Sequence, residues 1–122
     1  MNKEIQVSNE LLSWVFGCEC VYLHDDYDID NSFHKGDIKI AYKQEKKWDV
    51  HKISIYQFTH LAKIKAFECG YEIDEKPYHT AVLSKRGELL QAGDYPEDDI
   101  FSIETIIIML EWVAETIVGE NV

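Results

Sequence analysis

Apolar and polar positions repeat with two different periods along this chain, and the changes of period mark its elements. From Asp37 to Gln44, Ile38, Ile40 and Tyr42 fall on one side and Lys39 and Lys43 on the other, the pattern of a half-buried strand. From Ser54 to Gly70 the residues Ile55, Phe58, Ala62, Ala66 and Cys69 recur at spacings of three and four, which predicts a helix that buries that face. Ser54 and Gln57 make an S-x-x-Q capping box at its start. Ile103, Ile106, Ile107, Leu110, Ala114 and Ile117 form a third helical stripe, so a last helix capped by Ser102 should run to Val118 and close at Gly119. Near the start, Ser8 is a suitable N-cap for a short helix over Asn9 to Phe16, with Gly17 placed to end it.

The intervening segments supply strands and turns. Residues 18–24 carry β-favouring types, Tyr71 to Ile73 can form a short strand, and Tyr78–Ser84 with Glu88–Gln91 read as a hairpin. Lys46 and Lys47 are read as a turn, after which Trp48, Val50 and Ile53 lead into the middle helix. The predicted order is helix-strand-strand-helix-strand-strand-strand-helix. It describes an α+β fold in which residues 1–122 make a single layered domain with a mostly antiparallel sheet.

Three segments carry a resemblance: Glu10-Leu-Leu-Ser-Trp-Val-Phe-Gly17, Ile53-Ser-Ile-Tyr-Gln-Phe-Thr-His60 running to Gly70-Tyr71-Glu72, and Ser102 to Val113. In order and spacing the chain resembles small phage and prophage accessory proteins with an α-β-α sandwich, anti-CRISPR-like inhibitors among them. The resemblance implies that fold and a mobile-element origin. Its motifs are packing and capping motifs, so it brings no catalytic residue with it.

Charge changes the picture more than composition does. Twelve Lys and Arg stand against 23 Asp and Glu, a formal charge of −11. A surplus of that size argues against an open nucleic-acid binder and against docking on an anionic membrane, because both need basic side chains. Three Trp, seven Tyr and five Phe argue against disorder. No apolar h-region follows Met1, no stretch is long enough to span a membrane, and the cysteine count is odd, so a soluble cytoplasmic protein without disulfides is expected.

Candidate chemistry is sparse. Asp26-x-Asp28-x-Asp30, with Asp37 eleven residues after Asp26, echoes the calcium loop of an EF-hand. Asn31 replaces the turn glycine, and the flanks read as strands, so a solvated acidic loop is preferred to a metal site. Cys18, Cys20 and His24 would share one strand face, but Cys-x-Cys in a strand more often means two small buried residues than a zinc knuckle. No G-x-S-x-G elbow, P-loop or HExxH is present, and His60 reads as a helix-surface residue. No catalytic residue, metal ligand or cofactor is assigned.

The acidic residues are more informative as a distribution. Asp94, Glu97, Asp98, Asp99 and Glu104 crowd a loop–helix junction, and Glu104, Glu111 and Glu115 run down one flank of the last helix. Lys35, Lys39, Lys43, Lys46, Lys47 and Lys52 concentrate positive charge in the middle of the chain. The expectation is a non-enzymatic protein that uses the acidic junction to bind and inhibit a host nucleic-acid-handling defence protein, as an anti-CRISPR or anti-restriction factor would. The alternative is a small-molecule or calcium-binding accessory protein that uses the acidic loop at 25–37. Ile108, Met109 and Trp112, opposite the core stripe of the last helix, are candidates for a homodimer contact unless the chain itself covers them.

Overall fold

The computed structural model describes residues 7–23 and 37–120, with the side chains of Asp37, Asp98 and Glu120 outside the description. The acidic loop and its Asp25, Asp26, Asp28 and Asp30, like His24 and Lys35, lie outside the described residues. The chain divides into two compact units, residues 1–58 and 59–122.

The first unit begins with α1 (Asn9–Phe16). The Ser8 hydroxyl accepts the Leu11 N–H at 3.2 Å, and Gly17 sits in the left-handed region at φ 70°, where its N–H donates to the Ser13 carbonyl. One polar cap at each end lets an eight-residue helix form, and burial of Leu11 and Leu12 holds it in place. Strands β1 (Cys20–Leu23), β2 (Asp37–Gln44) and β3 (Lys47–Ser54) form an antiparallel sheet in that order. Side chains of α1 are tied to β1: Ser13 Oγ accepts the Cys20 N–H at 3.0 Å, and Asn9 Oδ1 accepts the Tyr22 N–H at 2.8 Å. On the sheet face of Ile38, Ile40 and Tyr42, the Phe16 ring lies 6.1 Å from Tyr42 and 6.0 Å from Phe58.

Helix α2 (Ile55–Glu68) follows β3 without a loop, and its Ile55, Phe58, Ala62 and Ala66 are buried as the spacing predicts. Cys69 is exposed, because the helix has already ended. Ser54 is the last residue of β3, and its hydroxyl accepts the N–H of Tyr56 rather than one three residues on.

In the second unit, β4 (Tyr71–Lys76), β5 (His79–Ser84) and β6 (Leu89–Asp94) make another antiparallel sheet in sequence order. Helix α3 (Ile103–Glu120) packs on all three strands. Thr80 and Val82 from β5 and Ile106, Leu110 and Val113 from α3 are fully enclosed. Gly93 permits the close approach: a Cβ there would meet Thr105 Cγ2 at 3.0 Å and Met109 Cε at 3.1 Å. Helix α3 runs through Gly119 rather than stopping at it.

The described residues form an α+β fold with three α-helices and two three-stranded sheets, which corrects the predicted order. Three strands, not two, precede the middle helix. The missing strand was β3, whose residues from Lys47 to Lys52 are all exposed. Its alternation is short, with Trp48 and Val50 between Lys47, Asp49 and His51 before it breaks at Lys52, and its two-residue turn carries Glu45 at φ 59° where a glycine would have marked it.

A candidate protein-binding surface

The most distinctive surface of the second unit is the connection from β6 to α3. Tyr95 is buried, its hydroxyl lies 2.5 Å from Thr80 Oγ1, and its N–H donates to the Tyr78 carbonyl at 2.8 Å. Tyr78 in turn donates its N–H to the Ile100 carbonyl at 3.2 Å. The loop is therefore laced to the β4–β5 turn. Two non-glycine residues of these turns, Tyr78 at φ 72° and Glu97 at φ 52°, occupy the left-handed region, a conformation that the surrounding bonds must impose. Ser102 then caps α3, accepting hydrogen bonds from the Thr105 N–H and hydroxyl.

Lacing of this kind holds large apolar side chains in water. Ile100 is 66% exposed and Tyr78 52%, and Phe101, edge-on to Tyr95 at 6.2 Å, is also exposed. Around them Asp94, Glu97, Asp99 and Glu104 are exposed, and none of the four has an ion pair among the described residues. Four of the five acids anticipated from sequence, all but Asp98, whose side chain lies outside the description, are thus exposed on this connection, which adds an apolar centre. Tyr78, Ile100 and Phe101 were not singled out from sequence. Their only signal was two adjacent bulky apolar residues at the end of an acidic loop, outside any periodic stripe.

Other anticipated residues are placed differently. Met109 is buried against the sheet beside Gly93, and Trp112 is half-buried, edge-on to Tyr71 at 6.4 Å. The chain itself covers both, and of the three dimer candidates Ile108 alone stands exposed on α3. Glu111 is half-buried, whereas Glu104 and Glu115 face solvent. Cys20 is buried and Cys18 half-buried; desolvation, then the neighbouring Cys18, pushes the Cys20 thiol up to about 11. Among the described residues, no group of three His, Cys, Asp or Glu is placed to hold a metal ion, and no helix is long and apolar enough to cross a membrane.

Comparison with protein-family models, with curated proteins and with solved structures finds no match for this chain.

Proposed function

We propose that the chain is a non-enzymatic binding protein whose β6–α3 loop docks on a basic protein surface. The observation that carries this reading is the exposed apolar cluster of Tyr78, Ile100 and Phe101 in a loop whose exposed Asp94, Glu97, Asp99 and Glu104 have no ion pair among the described residues. Protein interfaces are built that way: a desolvated aromatic or aliphatic anchor supplies affinity, and a charged rim supplies orientation and speed of association. The partner should offer an apolar pocket rimmed by Lys and Arg. Surfaces that hold nucleic acid have the required sign, so a nucleic-acid-handling defence protein of the host is the target we propose, with occlusion of its nucleic-acid surface as the mode of inhibition. The formal charge of −11 and the phage-like spacing of the three sequence segments support that choice.

The immobilised protein, incubated with host lysate in low and high salt, should retain a nucleic-acid-binding protein at low salt. Charge reversal at Asp94 and Asp99 should slow that association, and Phe101→Ala should shorten the lifetime of the complex. Retention of the same protein by both variants at wild-type rates would exclude this surface.

A further inference from the structure

The β2–β3 hairpin is a local exception to the acidity of the chain. Trp48, Val50 and Lys52 share one face of β3 because side chains alternate along a strand, and Lys43 joins them from β2 as the cross-strand partner of Trp48. Directly opposed residues have Cβ atoms about 5 Å apart, so the Lys43 ammonium is within reach of the indole. Lys46 lies in the turn and Lys47 starts β3, both exposed. Trp48 is 46% exposed and Val50 56%, high values for large apolar residues within a strand. Lys43, Lys46 and Lys47 make no ion pair among the described residues. Of the nearby acids, Asp49 lies on the opposite face, beside His51, while Glu45 in the turn and Glu19, whose carbonyl accepts the Lys43 N–H at 2.9 Å, offset part of the charge and leave the three lysines in excess.

We propose that this hairpin binds single-stranded nucleic acid, with Trp48 as the platform on which a base stacks and Lys43, Lys46 and Lys47 as the phosphate contacts. An exposed aromatic plane beside ammonium groups matches the two parts of a nucleotide, and stacking is tolerant of base identity. A single strand suits the site better than a duplex, since its bases are open to stacking and its charge density is lower. It also suits the site better than an anionic membrane. A flexible polymer can reach the hairpin tip alone, whereas a lipid surface would bring many of the carboxylates of a −11 chain within a Debye length of its own charge. Net charge had argued against such binding, but it averages over the molecule. A stacking contact is local.

Fluorescence anisotropy of a labelled thymidine pentadecamer, at about 50 mM salt to limit screening, tests the proposal. Saturable binding is expected, with a log–log salt slope of about −2 for three phosphate contacts. Trp48→Ala should weaken binding by about tenfold or more and Trp48→Phe by less, while Lys43→Gln with Lys46→Gln should flatten the salt slope. Melting curves of each variant confirm that the fold is kept. Phe101→Ala should leave oligonucleotide binding unchanged, which separates this site from the acidic one. The proposal is overturned if the oligonucleotide does not bind, if Trp48→Ala binds it as well as wild type, or if polyglutamate or phosphatidylserine vesicles bind the hairpin at least as tightly.

Discussion

At the scale of single residues, two buried groups make the sharpest predictions. Burial raises the Cys20 thiol from 9.0 to about 11, so the folded protein holds that proton more tightly than the unfolded chain does. The resulting stability is complete below pH 9 and is lost as pH rises toward 11. One pKa unit corresponds to about 1.4 kcal/mol, so wild type should lose up to ~2–3 kcal/mol across that window relative to Cys20→Ala, measured by urea unfolding at each pH. A thiol reagent near neutral pH should label exposed Cys69 first and Cys20 last. The second group is the enclosed Thr80–Tyr95 hydrogen bond at 2.5 Å. Tyr95→Phe leaves the Thr80 hydroxyl without that partner and should destabilise by about 1–3 kcal/mol. Adding Thr80→Val should recover part of the loss, and a double mutant no better than the single would show that the bond is not what Tyr95 contributes.

At the scale of elements, local signals and tertiary contacts divide cleanly. Helix α1 was legible in full because Ser8 and Gly17 act on the nearest turn of backbone; Ser8→Ala should cost about 1 kcal/mol. The buried face of α2 was legible because burial there follows the helical period. Helix α3 was legible only in part. Of the stripe expected in the core, Ile106, Ile107, Leu110 and Ala114 are buried and Ile103 and Ile117 only half-buried, while Thr105, Met109 and Val113 are buried as well, since the sheet covers a wider arc than the predicted stripe. Gly93 sets that approach, and Gly93→Val should therefore destabilise by roughly 1–3 kcal/mol through overpacking against Thr105 and Met109. A chemical melt unchanged by Gly93→Val would mean that α3 can move away at no cost.

At the scale of the whole molecule, charge is the dominant property. A chain of 122 residues carrying −11 repels itself, and added salt screens that repulsion. The melting temperature should rise between about 10 mM and 0.5 M sodium chloride, by roughly 2–8 °C for each 1 kcal/mol of relief. A midpoint that falls with salt would show that attractive pairs, Lys63–Glu75 and Lys76–Asp74 among them, outweigh the repulsion.

The α+β class, the α-helices with the cap of the first, most of the buried helical faces and the clustering of acids around the start of α3 could all be read from the order of residues alone. All of these depend on neighbours a few residues away or on composition. Tertiary structure decided the rest. It grouped the strands into two sheets and revealed β3, whose alternation covers only residues 47–51 and whose turn has no glycine to mark it. It covered Met109 and Trp112 from within the chain, and it held Tyr78, Ile100 and Phe101 out in water through hydrogen bonds between two turns that are distant in sequence. Which apolar residues a chain leaves uncovered depends on how its elements pack, because exposure is a property of the packed surface and not of the residue.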